Sequence, residues 1–183
     1  MKLVNGSYVH ESAQIYGDVT LAPGVSIWPC AVIRAEAHAV EIGEGTNIQD
    51  FVLIHVGFQN GTVVGSNCSI THRATLHGCT IADNVLIGIG ATVMDGCCIG
   101  ANSIVAGHSF LRDGTIVPEN SIVMGVPAAV VKTRNNEVAN RINALMYSRN
   151  AAAYCDGNFR LWDDGNFLKE IAKEEARLGR EAR

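Results

Sequence analysis

The sequence predicts an all-β fold: a triangular coil of short parallel strands, followed by an α-helical C-terminal segment. Three observations predict it. An aliphatic residue recurs every six positions along most of residues 11–128. The composition is 48% hydrophobic with 19 glycines but only 6% aromatic, so the core must be built from Val, Ile, Ala and other small side chains. Charge density changes near Lys132: residues 1–131 hold 14 charged side chains and 16 glycines, whereas residues 132–183 hold 18 and 3. The expected division is a β body over residues 1–131 and a helical segment over residues 132–183, packing on the body with its distal end exposed.

The aliphatic series runs Ile15, Leu21, Ile27, Ile33, then Ile42, Ile48, Ile54, then Val64, Ile70, Leu76. It continues as Ile81, Ile87, Val93, Ile99, Val105, Leu111, Val117 and Val123. Four places after most of these sits a small or β-branched residue, such as Val25, Ala31, Val52, Cys68, Ala74, Ala91 or Cys97. A period of six is neither the helical 3.6 nor plain strand alternation. It fits a strand that turns a corner and repeats, with three sides closing a coil and coils stacking at ~4.8 Å. The phase breaks near Ala37–Ala39, near Gly57–Val63 and after Leu76.

Gly125-Val126-Pro127-Ala128 closes the coil, since proline suits a chain leaving a sheet edge. Val138, Ile142, Leu145 and Met146 follow helical spacing and predict a helix over about residues 136–154, its apolar stripe laid along the prism. Residues 156–165 read as a loop, and Phe167–Arg183 as a second, exposed helix.

A net charge of −4 provides no dense basic surface for nucleic acid or an anionic membrane. No apolar run approaches the ~18 residues of a membrane span. Met1–Gly6 carries no apolar leader, so a cytoplasmic location is expected.

The register gives three histidines a special standing. His55 and His77 are each the second residue of their hexad, one coil apart, and should stack on one face. Arg34 holds the same place one coil before His55. His72 lies on the preceding side, with Asp50 directly beneath it and Gln49 beside Asp50. Within one subunit His72 cannot easily converge with the pair. In a three-fold ring, a neighbour's His72 completes a three-imidazole site suited to Zn²⁺ or a similar metal. The same ring lets Arg34 pair with the neighbour's Asp50 and Gln49 orient a water on the metal. A homotrimer with metal sites at its subunit interfaces is therefore expected.

The strings Ile33-Arg34, Asn47-Ile48-Gln49-Asp50, His55 and His72-Arg73-Ala74-Thr75-Leu76-His77-Gly78-Cys79 resemble the γ-class carbonic anhydrase family. Its motif is Arg-Gly-Asp, Asn-x-Gln-Asp, His, and a final His-x₄-His-Gly-Cys. The resemblance spans roughly residues 10–130. It implies a left-handed parallel β-helix of hexapeptide repeats and a homotrimer with metal ligands His55, His72 and His77. By the same resemblance Asn47 and Gln49 lie in the pocket, and Arg34 and Asp50 form an inter-subunit ion pair. The metal would be Zn²⁺, with Fe²⁺ or Co²⁺ as alternatives. The implied reaction is attack of metal-bound hydroxide on CO₂ to give bicarbonate, with Gln49 holding the nucleophile.

The chain departs from the pattern at Arg34-Ala35-Glu36, where Glu36 replaces an Asp and the Gly is lost. Acidic residues that move protons in the archetype are absent from Ala37 and from Val56-Gly57-Phe58-Gln59. His38 is the remaining relay candidate. The same nucleophile would serve a thioesterase or other hydrolase of acyl or amide substrates, the leading alternative. Acyl transfer, with His108 as base, and a non-catalytic metal-binding assembly are further rivals. Tyr154 is a candidate pocket residue on the helix, although Tyr147 and Tyr154 both also suit plain packing. Cys68 and Cys97 read as buried reduced thiols.

Overall fold

The computed structural model describes residues 1–181; the predicted helix end at Arg183 lies outside the described residues. Residues 7–125 wind into a left-handed parallel β-helix of about six turns. The first face stacks Ser7–Val9, Ser26–Ile27, Asn47–Ile48, Ser69–Ile70, Leu86–Ile87, Ile104–Val105 and Ser121–Gly125. The second face carries Leu53–His55, Thr75–His77, Thr92–Val93 and Phe110–Leu111, and the third Thr62–Val64, Thr80–Ile81, Cys98–Ile99 and Ile116–Val117. Two longer strands, Gln14–Leu21 and Val32–Ile42, run through the corner between second and third faces. The Ala37–Ala39 insertion lengthens the second of them, and the register between the two shifts opposite it, between Gly17 and Val19.

The six-residue step follows from the corners. Each turns on a residue with positive φ: Asn67, Asn84, Asn102 and Asn120 at one edge, Cys30, Phe51, Arg73 and His108 at the next. Asparagine tolerates that conformation best among side-chain-bearing residues, and glycine fills the remaining corners. Inside, every aliphatic of the series from Ile27 to Val123 is buried, and Ile15 and Leu21 pack against that core. Val25, Ala31, Val52, Cys68, Ala74, Ala91 and Cys97 are fully buried beside the corners, where nothing larger fits. Burial pushes the Cys68 and Cys79 thiols up to about 12.

Antiparallel hairpins that the six-fold period does not encode flank both ends. Lys2–Val4 pairs with Ser7–Val9, and Ser121–Gly125 turns at Val126-Pro127 to pair with Ala128–Thr133. They occupy the outer edges of the end coils, which would otherwise offer unpaired backbone groups.

Helix α1 spans Glu137–Cys155 and helix α2 Gly165–Glu181, with a short 3₁₀ turn at Leu161–Asp163. The side of α1 that meets the prism is not the predicted stripe. It combines amides with small and aromatic side chains: Asn140 Nδ2 donates to the Asn84 and Ser103 carbonyls at 2.9 and 3.1 Å and Asn136 Nδ2 to the Asn102 carbonyl at 3.2 Å, while Ala144 and Ala151 are buried and Tyr147 and Tyr154 pack edge-on against Trp28. Ser69 Oγ donates to Asn143 Oδ1 at 2.8 Å. The apolar stripe, with Ile142 buried, instead packs on Phe167, Ile171 and Leu178 of α2. The second helix is thus exposed on one side only. The reason is demand at the corners: their carbonyls need donors, and asparagines supply them, leaving the aliphatic stripe to α2. No helix among the described residues is long and apolar enough to cross a membrane.

Candidate metal centre

Strand register builds the site. Arg34 pairs with His55 and His55 with His77 across successive coils, so the predicted column stands on the second face. His55 Nδ1 and His77 Nε2 lie 3.1 Å apart, the rings tilted by 58°. The outer nitrogen of each ring meets a carboxylate: His55 Nε2 faces Glu36 Oε2 at 3.0 Å and His77 Nδ1 faces Asp95 Oδ2 at 2.8 Å. Both carboxylates are acceptors only, so each draws the imidazole hydrogen to its own side. With the hydrogens drawn outward, the two inner nitrogens turn toward one another across 3.1 Å, the arrangement that two ligands of one cation would have.

A divalent cation fits there. Tetrahedral ligands ~2.0–2.1 Å from zinc stand ~3.3 Å apart, close to the separation of this pair. Among the described residues no three ligating side chains converge within one chain. His72 stands at the corner between first and second faces, beside the positive-φ residue Arg73. Its Nδ1 faces Asp50 Oδ2 at 2.9 Å, which leaves Nε2 as the nitrogen available for ligation. Asp50 precedes the corner residue Phe51 as His72 precedes Arg73, which is why the two stack.

Gln49 and Asn47 are buried on the first face. Gln49 Nε2 donates to Asn47 Oδ1 at 2.9 Å, and Asn47 Nδ2 to the Cys68 carbonyl at 3.1 Å and Ser69 Oγ at 3.0 Å. This chain of hydrogen bonds leads through Ser69 to Asn143 of α1 and so ties the glutamine to the helix. Arg34 pairs within the chain with Glu36. Although desolvation opposes it, the Glu36 backbone N–H, His55 and Arg34 hold the Glu36 carboxyl below the usual glutamate range. His38 Nε2 contacts the Phe58 carbonyl at 3.3 Å and does not touch the three histidines.

Tyr154 stacks edge-on to Trp28 and Phe159, with centroids 5.0 and 4.9 Å away, and makes no contact with His72. Tyr147 does: its hydroxyl lies 3.5 Å from His72 Nε2, and burial, then Asp50 and Tyr154, push it up to about 12. Asp95 and the Tyr147 contact are the features the sequence did not single out. Asp95 falls in register with Gly78, one coil on, and not with His77, so coil counting does not place it beside the histidine column.

A hexapeptide prism whose outer surface carries a facing imidazole pair defines a class, the hexapeptide-repeat proteins. The family described as bacterial transferase hexapeptide (six repeats) matches residues 78–113. The mitochondrial γ carbonic anhydrase 3 of Arabidopsis thaliana is 46% identical over 180 residues, covering 94% of this chain and 70% of that protein. A probable carbonic anhydrase of Methanocaldococcus jannaschii is 48% identical over 141 residues, 76% of this chain and 89% of that one. The chain belongs to the γ-carbonic anhydrase family. Among solved structures, a hexapeptide transferase family protein of Anaplasma phagocytophilum superposes with TM-score 0.79 at 31% identity, covering 82% of this chain and 90% of that one.

Proposed function

We propose that the protein is a metal-dependent carbonic anhydrase of the γ class, hydrating CO₂ to bicarbonate at sites shared between neighbours in a homotrimer. The observation that carries this reading is the approach of His55 Nδ1 and His77 Nε2 to 3.1 Å on an outer face, with a carboxylate at the other nitrogen of each ring. His72 of a neighbouring copy supplies the third imidazole. These three imidazoles would hold a divalent cation, whose chemistry, when bound, would be to lower the pKa of a water to about 7. Zn²⁺ is the first choice for three imidazoles, with Fe²⁺ and Co²⁺ alternatives.

The chain's own residues do the rest. Gln49, locked through Asn47, orients the attacking water by its carbonyl oxygen. Glu36 accepts from His55 Nε2 and, with its carboxyl held low, stays a hydrogen-bond acceptor at neutral pH rather than storing a proton. Proton release then falls to solvent or to His38. In the trimer Arg34 reaches the free oxygen of a neighbour's Asp50, whose other oxygen holds His72. The test is His72→Ala: metal content and CO₂ hydration should fall together. Hydration at the wild-type rate in that variant would overturn the assignment.

One observation favours a second reading. Phe58, in the loop after His55, is 94% exposed and places an apolar ring where CO₂ needs none. That suits hydrolysis of an acyl thioester by the same activated water. An acyl-CoA panel separates the two: thioester cleavage above the rate of CO₂ hydration selects the hydrolase.

A further inference from the structure

Asp95 is the carboxylate that neither the motif nor the proposed reaction uses. It stands one coil beyond Gly78: Leu76 pairs with Val93, which brings Asp95 to the corner opposite Gly78, next to His77. Its Oδ2 faces His77 Nδ1 at 2.8 Å. Its other oxygen lies in a slot formed by two glycines. A Cβ on Gly57 would stand 1.9 Å from Asp95 Oδ1, and one on Gly78 would stand 2.4 Å from it. Gly78 also has φ +54, which a side-chain-bearing residue adopts at a cost. Both residues next to this carboxylate therefore lack a side chain, and the space they leave is filled by Asp95.

A carboxylate at Nδ1 selects one tautomer of a neutral imidazole: hydrogen on Nδ1, lone pair on Nε2. For His77 that Nε2 is the nitrogen facing His55. Glu36 is half exposed and bound also to Arg34, whereas Asp95 has one imidazole partner and a fitted seat.

We propose that Asp95, seated in the Gly57–Gly78 slot, is a positioning residue that fixes the tautomer and ring orientation of His77 and so sets the affinity of the site for a divalent cation. The affinity part rests on the metal reading above; the tautomer part does not. Asp95 acts through His77 and touches no reacting atom.

The experiment compares wild type with Asp95→Ala, Asp95→Asn and Gly57→Ala. In metal-free, ¹⁵N-histidine-labelled protein, long-range ¹H–¹⁵N spectra read the His77 tautomer. Wild type should show Nδ1–H alone, and Asp95→Ala a mixture. Gly57→Ala should reproduce the mixture without touching Asp95 chemically. Its Cβ displaces the carboxylate end, while the nearest backbone atom, Gly78 Cα, remains 3.4 Å away, so the fold holds and thermal melting verifies it. Zn²⁺ affinity, measured against a chromophoric chelator, should fall about 10–100-fold in the Asp95→Ala and Gly57→Ala variants. Asp95→Asn, whose amide oxygen accepts the same hydrogen, should lie between them and wild type. An unchanged tautomer and affinity in Asp95→Ala overturns the proposal. Wild-type protein that binds no Zn²⁺ overturns the metal reading instead, and the spectra still decide the role of Asp95.

Discussion

His72 presents Nδ1 to Asp50, 2.9 Å away, so its Nε2 faces the Tyr147 hydroxyl rather than the His55–His77 pair of its own chain. The three histidines of one chain are therefore divided between a corner and a face. In the proposed trimer a second copy unites them. Mixing His72→Ala with His77→Ala subunits tests this. Each variant alone should lose metal at micromolar Zn²⁺. Co-refolded in equal amounts, they should regain about a quarter of the sites, because each mixed trimer restores one interface of three. No recovery would mean that each chain builds its own site.

Tyr147 is held neutral by burial, with Asp50 and Tyr154 adding to the effect. Its folded pKa of about 12 lies above the ordinary value of 10.0, so its contribution is complete below about pH 10 and is lost as pH rises through about 12. Tyr147→Phe should flatten the loss of urea stability across that window relative to wild type. Parallel curves would show that the hydroxyl does not titrate in the fold.

The coil was legible because a corner at every sixth residue imposes both an inward aliphatic and a small neighbour, and every aliphatic of the series from Ile27 to Val123 is buried although the phase breaks three times. The column Arg34-His55-His77 followed from the same counting. Counting could not say which side of α1 meets the prism. Val138, Ile142, Leu145 and Met146 announce burial but not the partner, and the corner carbonyls claimed Asn136 and Asn140 instead. Asp95 escaped notice because a lone acid in Met94-Asp95-Gly96 resembles any turn residue. Only the closeness of Gly57 and Gly78 marks its seat.

Asn140 carries the docking of α1 through two carbonyls that burial has removed from water. Asn140→Leu should cost about 1–3 kcal/mol by stranding those acceptors. Hydrogen exchange should quicken along Glu137–Cys155 before it does in the prism. Uniform quickening throughout would show that helix and prism open as one unit.

Leu76, next to His77 and paired with Ile54, fills the coil interior and is fully buried. Leu76→Ala should destabilise by about 2–5 kcal/mol, read as a lower denaturation midpoint. A loss under about 1 kcal/mol would indicate that the coil collapses around the gap.

Cys68 and Cys79 have thiols raised to about 12 by burial, so the reactive thiolate is scarce at neutral pH. Iodoacetamide should leave both unmodified in folded protein and label both in denaturant, as read by peptide mass. Labelling of Cys79 in the folded state would show that the corner beside His77 opens.

The most direct measurement is CO₂ hydration by the purified protein as Zn²⁺, or Fe²⁺ under anaerobic conditions, is titrated in, with bound metal counted per chain. Turnover should rise in proportion to occupied sites and vanish with a chelator. Full occupancy of the His55–His72–His77 site with no hydration above background would contradict it.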